Sequence, residues 1–363
     1  MLTWPEKVYK RKERKHFKSS SSSLLIIIIM QTKTPKSHIE AGLTFLEKSC
    51  RPITGFQNDC IGKSRATLTQ SFFPEDVFTS ITALDLLGDS LSPQCKAILR
   101  KFVTPESVTG TVNFNKYQHV IPDDVEDTGL YHYVFLRDGL LQNDKRILDV
   151  TRLIYLNKGQ NGIIQLYYTP CEDKRKERLE AGCLSNAMRF LYYIGASEEA
   201  GKTEDYLYHW LVSGKYQEGT RYYPSPDTFL FFCSKAVSLN EKAKGRFETE
   251  LVNAVKERVS MNNGGDYKST TGDNMKRKLY PLDVALQILA LNNLGKLGSS
   301  EFAENAGKLV ELLKNMQEES GAWPKDALFK LGGSDTYLGG RVVSTIFAVA
   351  ALQAFDKSYL AYP

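Results

Sequence analysis

Six stretches of helix length, each apolar nearly all round, recur along the chain at intervals of roughly 45–60 residues. They are PEDVFTSITALDLLG from Pro74, PDDVEDTGLYHYVFLRDG from Pro122, LEAGCLSNAMRFLYYIG from Leu179, SPDTFLFFCSKAVS from Ser225, YPLDVALQILALNNLG from Tyr280 and GGRVVSTIFAVAALQAF from Gly339. A helix without a wet face has to be buried. Four of the six open on proline and an acidic residue, a helix start signal. Four run into glycine, at Gly88, Gly139, Gly195 and Gly295, where a C-cap belongs. Between them lie amphipathic stretches: Lys36–Lys48, Pro93–Val103, Asp144–Leu156, Glu198–Val212, Glu241–Val259 and Ser300–Met316. A shorter element keeps the same period, a glycine, one spacer and a third residue: Gly110-Thr-Val112, Gly162-Ile-Ile164, Gly265-Asp-Tyr267 and Gly321-Ala-Trp323.

Buried and surface helices in alternation close in one of two ways. An open solenoid needs polar caps at both ends. The last apolar helix almost ends the chain, which favours closure on the first repeat. The fold expected is therefore all-α, a single (α/α)6 toroid over residues 36–363, preceded by a disordered basic, serine-rich tail over 1–35. In a toroid the inner helices run the same way, so their first turns ring one mouth. Glu75/Asp76, Asp123–Asp127, Glu180, Asp227 and Asp283 then become neighbours.

Charge and cysteine usage narrow the function. Residues 1–29 hold seven Lys/Arg and two Glu, which is the whole net charge of +5. The body is balanced, so nothing points to nucleic acid. The tail combines a basic run, a serine run and the apolar Leu24–Ile29, far short of the roughly 20 residues that span a membrane. Three readings stand: a disordered tail, a start site at Met30, or a peripheral membrane anchor. The expected location is cytoplasmic, with peripheral membrane contact as the tail's third reading. Six cysteines, at 50, 60, 95, 171, 183 and 233, show no zinc spacing.

Asp123, Asp124, Glu126 and Asp127 place four carboxylates in five positions, directly after Pro122. Acids in a first turn are ordinary, because the helix dipole favours them. Four are more than any other apolar helix carries. Crowding raises carboxylate pKa values, and a carboxyl kept neutral in an apolar cavity is a strong proton donor. Aromatic side chains are dense on and beside the same helices, and aromatic faces stabilise cations. Tyr131, Phe135, Phe190, Tyr222, Tyr223, Phe229, Trp323 and Tyr337, with Asp123, are the candidate substrate-binding residues. Each ring taken alone reads equally as core.

Together these features resemble the squalene–hopene cyclase and prenyltransferase superfamily of α/α toroids. The family's DxDDT acid motif is matched by DVEDT, Asp124 to Thr128, with Glu in place of the middle Asp. Gln317–Trp323 looks like one QW motif, and YLGGRVVSTIFAVAALQAF like the family's last inner helix. The resemblance implies a class II terpene cyclase that protonates a linear isoprenoid or isoprenoid diphosphate. Carried over, Glu126 is the acid and Asp124 and Asp127 support it. It implies no cofactor. Mg²⁺ enters only if DDVED works as the magnesium motif of a class I terpene synthase, or if a diphosphate is held, for which Arg189, Arg221 and Arg341 are candidates. Against the class I reading, Pro122 puts the acids at a helix start and no second metal motif follows. A toroid that binds an isoprenoid, another lipid or a protein without catalysis is the other alternative. A zinc prenyltransferase subunit and an (α/α)6 glycosidase with two separated carboxylates fit less well.

Overall fold

The computed structural model describes residues 35–58, 60–70, 76–116, 121–142, 145–168, 178–262, 279–332 and 334–360. The tail with its three readings, Cys171 and the Gly265-Asp-Tyr267 repeat lie outside the described residues.

Twelve helices alternate between an outer and an inner layer. In chain order they are α1 (Pro35–Ser49), α2 (Val77–Leu87), α3 (Pro93–Val103), α4 (Val125–Arg137), α5 (Lys145–Leu156), α6 (Ala181–Tyr193), α7 (Gly201–Val212), α8 (Pro226–Val237), α9 (Glu241–Asn262), α10 (Pro281–Asn293), α11 (Ala303–Asn315) and α12 (Arg341–Leu360). The even-numbered helices are the six apolar segments. Each packs on the next, and α12 returns to α2, so the ring closes. All thirteen residues of α6 except Tyr193 are buried, whereas α3 buries only Cys95, Leu99, Phe102 and Val103. This is the (α/α)6 toroid expected.

The inner helices run in parallel, and side-chain bonds show it directly. N-terminal halves touch N-terminal halves: Ser225 at the start of α8 donates to Asp283 of α10, and Gln287 of α10 donates to Asp227 of α8. Last turns touch last turns: Asp85 of α2 bonds Arg137 of α4, Arg189 of α6 and Lys235 of α8. Acidic or hydroxyl side chains cap four of the starts, Asp76, Asp124, Glu180 and Ser225 each accepting from a backbone N–H of the first turn. Gly139, Gly195 and Gly295 end α4, α6 and α10 in the left-handed conformation, as C′ glycines do. Gly88 differs. It stays right-handed (φ −49°) and simply prolongs the turn.

The three recurring glycine loops among the described residues have one shared task. In each the third residue is buried and its N–H donates to a threonine hydroxyl on a neighbouring helix: Val112 to Thr128, Ile164 to Thr203 and Trp323 to Thr345. Trp323 is also pinned by its indole N–H, 2.7 Å from the Leu313 carbonyl.

A small antiparallel sheet lies outside the helical pattern. Its strands are β1 (Cys60–Gly62), β2 (Thr69–Gln70), β3 (Asp326–Lys330) and β4 (Tyr337–Gly340), in the order β2-β1-β4-β3. These runs are too short for period-two patterning to reveal. The sheet ties the segment between α1 and α2 to the segment before α12, which is the seam of the ring. Arg65, in the turn between β1 and β2, clamps that seam by ion pairs to Asp283 (3.0 Å) and Asp326 (2.7 Å), and it lies 4.0 Å over the Tyr280 ring. Removing the cation takes the guanidinium away from two buried carboxylates, so Arg65→Ala should cost about 3–5 kcal/mol. Urea unfolding checks this, and a midpoint unchanged from the parent would show that the clamp does not hold the ring closed.

Candidate active site

The start of α4 faces a cavity of about 260 Å³ inside the mouth of the ring. Asp124 is its N-cap, accepting from the Asp127 N–H at 2.8 Å. Pro122 and the extended Asp124 (φ −133°, ψ 163°) fix where the helix begins. Glu126 and Asp127 therefore occupy the first turn. All three line the cavity, and all three are buried, at 5, 6 and 2% exposure. Cys183 joins them from α6.

Burial is the largest influence on each acid. It raises Glu126 from an ordinary 4.5 to about 8, with the Asp124 charge pushing the same way; bonds from Cys183, Tyr223 and Asn186 pull it down. Asp124 rises to about 7, again by burial, held back by the bonds from Asp127 and Glu126. Asp127 is pushed well above the carboxylate range by burial and then by Asp124 and Glu126. The three titrate as a set, and the set holds protons near neutral pH.

The surroundings separate their roles. One oxygen of Glu126, Oε1, accepts from the Tyr223 hydroxyl at 2.7 Å and from Asn186 Nδ2 at 2.8 Å. With both donors on Oε1, the proton belongs on Oε2. The same two donors would hold the anion once that proton leaves. Among the described residues Oδ1 of Asp127 has no partner, so an Asp127 anion would go unsupported at that oxygen. Gly182 makes the Tyr223 contact feasible, since a Cβ there would come within 2.6 Å of the Tyr223 ring. Gly129 does the same for the α4–α6 approach, with Ala187 3.2 Å from where its Cβ would stand.

The rest of the wall is mostly oily. Phe114, Tyr167, Tyr222, Tyr223 and Phe329 supply rings, with Ile121, Leu166, Leu331 and Leu338 between them. Phe329 packs edge-on to Phe78 and to Phe114, with centroids 5.4 and 5.3 Å apart. Polar contact returns at Arg178, which donates to the Tyr222 hydroxyl (2.9 Å), itself 3.0 Å from the Tyr167 hydroxyl. Arg178 and Lys330 are the cations that line this cavity.

The expected substrate residues divide. Tyr222 and Tyr223 line the cavity. Asp123 turns the other way, to Thr111 and Asn113, and lines a separate cavity of about 270 Å³. Tyr131 stacks on Phe135, Phe190 is wholly buried, Phe229 stacks on Tyr216, and Trp323 is the loop pin; these five sit in the core. Tyr337 belongs to β4, with the Lys330 ammonium 5.6 Å from its ring. Of the diphosphate candidates, Arg189 is locked to Asp85 at the far end, Arg341 pairs with Glu318 on the surface, and Arg221 lies 5.9 Å over Tyr222.

Sequence reasoning missed Asn186, Cys183, Phe114, Tyr167, Arg178 and Phe329. Asn186 did leave a signal, being an amide inside a helix otherwise apolar, which requires a buried partner. The rest lie in loops without periodicity, or look like ordinary core. Among the described residues no group of three or more His, Cys, Asp or Glu side chains is arranged to hold a metal ion, and no helix is long and apolar enough to cross a membrane.

Known proteins show the same architecture. A variant of the type II terpene cyclase MstE from Scytonema, in complex with geranylgeranyl dihydroxybenzoate, superposes with a TM-score of 0.63 over 89% of this chain and 98% of that one, at 12% identity. The chain has the terpene cyclase fold. Drimenol cyclase drtB of Aspergillus calidoustus is 25% identical over 231 residues, 64% of this chain, and the match spans 38% of that protein's length. A novel alpha-amylase from Clostridium perfringens also aligns, with a TM-score of 0.58 over 88% of this chain and 97% of that one, at 13% identity. No family model matches. The terpene cyclase fold is thus shared with an enzyme of sugar chemistry, and function has to be argued from the site.

The Glu126 carboxyl makes a thermodynamic test available. Its folded pKa lies above its unfolded one, so its contribution favours folding at low pH and is lost as pH rises from about 4.5 through about 8. Glu126→Gln should therefore gain in melting temperature relative to the parent as pH is raised across that window, and match it most closely near pH 5. A difference independent of pH would show that Glu126 is ionised throughout.

Proposed function

We propose that the protein cyclises a linear isoprenoid by protonating it. The observation that carries this reading is Glu126, a buried carboxyl at the wall of an aromatic cavity with two donors poised to hold its anion. Oε2 gives its proton to a terminal alkene carbon or an epoxide oxygen of the substrate. A C–H bond forms from the alkene π pair, or an O–H bond forms and the epoxide C–O bond opens; a tertiary cation is left, and the O–H electron pair stays on Glu126, where Tyr223 and Asn186 stabilise it. The π pair of the next alkene closes the ring and passes the cation along. Loss of a proton or capture by water ends the sequence. The rings of Phe114, Phe329, Tyr222 and Tyr223 offer their faces to the cation, each such contact worth about 0.5–2 kcal/mol.

The ends of the cavity suggest an orientation. Arg178 and Lys330 would repel a cation, so the oily tail belongs at Glu126 and the polar end of the substrate at Arg178. A linear isoprenoid or its diphosphate fits this placement, and the reaction as drawn needs no cofactor. The drimenol cyclase relative supports the same class of reaction.

Incubation with farnesyl, geranylgeranyl and squalene-type substrates without added metal should give cyclic products, and Glu126→Gln should give none. Strict dependence on Mg²⁺ with release of diphosphate would replace this reading by class I ionisation through DDVED. Turnover of a competent substrate should fall as pH rises past about 8, where Glu126 loses its proton. Tyr223→Phe removes a donor that favours the anion. It should lower kcat by roughly 10²-fold and move the falling limb to higher pH; a lowered kcat with an unmoved limb would separate Tyr223 from the acid.

A further inference from the structure

The end of the ring opposite the acids holds a second cavity, of about 490 Å³, whose chemistry is the reverse of the first. Lys96, Arg100, Arg137 and Lys357 line it, with the carboxylates Asp85, Asp89 and Asp138. Behind the wall, Arg189 and Lys235 also lean on Asp85, at 2.6 and 2.8 Å. Six cations thus surround three carboxylates.

Part of this excess has a structural cause. The inner helices end here, and helix C-termini favour cations. Arg137 serves that purpose, donating to the carbonyls of Leu84 and Asp85 as well as to the Asp85 carboxylate. Arg189 and Lys235 complete the neutralisation of Asp85. Burial, and then the neighbouring Arg189, push the Lys235 ammonium down to about 8, while the Asp85 carboxylate pulls it back up.

Lys96 and Arg100 have no such cause. They belong to the outer helix α3, four residues apart on one face, where like charges repel. Lys96 lies near the α3 N-terminus, whose own partial charge is positive and whose first turn has no acid. Arg100 makes one long bond, 3.5 Å to Asp138, and among the described residues its buried Nε has no partner. Neither Lys96 nor Lys357 has an ion-pair partner among the described residues.

We propose that this cavity is a binding site for a phosphate group, held between Lys96, Arg100 and Lys357 at the end of the ring remote from the acids. A tetrahedral oxyanion offers acceptors in several directions, matching a guanidinium edge and two ammonium groups at once. Arg137 lies eleven residues after Glu126 on α4, a rise of about 16 Å along that helix, and the two cavities share no lining residue. The proposal is therefore independent of the cyclisation chemistry, and stands or falls without it.

Isothermal titration at fixed ionic strength tests it, with inorganic phosphate and glycerol 3-phosphate as probes on the full chain. One saturable site is expected. Lys96→Ala/Lys357→Ala should weaken it about tenfold or more without lowering the melting temperature of the unliganded protein. Lys96→Gln alone should act in the same direction. Tighter binding of inorganic phosphate assigns a free ion, and tighter binding of glycerol 3-phosphate a phosphomonoester. Heats that do not saturate, or the same affinity in both variants as in the parent, overturn the proposal.

Discussion

The parallel run of the six inner helices is the constraint on which everything else depends. It brings every helix start to one mouth and every helix end to the other. Each start wants an acceptor, and in this chain Asp76, Asp124, Glu180 and Ser225 supply it. One of these caps, Asp124, is thereby delivered into a space walled by rings and aliphatic chains. Near Asp85 the same logic gathers cations on the helix ends. The toroid is an electrostatically polar object before any chemistry is assigned to it.

The acid cluster shows how capping and acidity compete. A helix N-terminus favours a carboxylate and lowers its pKa. Burial opposes this, and in all three acids burial is the larger effect. Asp124 spends its oxygen on capping. Glu126, two residues on, is free of that duty and reaches across to Tyr223 and Asn186. Glu in place of Asp at this position therefore has a structural meaning. The extra methylene carries the carboxyl to donors supplied by α6 and by the loop before α8, with Gly182 clearing the way for the tyrosine.

Much of the architecture was legible in the sequence because helical burial has a period. The six apolar segments, the start signals at Pro122, Pro226 and Pro281, and the glycine loops could all be read, and the three described loops share the threonine bond seen at Thr128, Thr203 and Thr345. The sheet was not legible, since two- to five-residue strands leave no pattern. The cavity wall was legible only in part. Phe190 and Phe229 lie on inner helices as expected, yet a helix nearly all buried gives no sign of which face meets a cavity and which meets its neighbour. Phe114, Tyr167, Arg178 and Phe329 come from connections between helices, where side-chain direction depends on tertiary contacts that no local rule encodes.

The central claim is that Glu126 is a neutral acid at working pH. Infrared difference spectroscopy of the parent against Glu126→Gln tests it without any substrate. At pH 7 the parent should show the carbonyl stretch of a protonated carboxylic acid that the variant lacks, and the band should disappear as pH is raised past about 8. A difference spectrum with only the carboxylate bands at pH 7 would contradict the account.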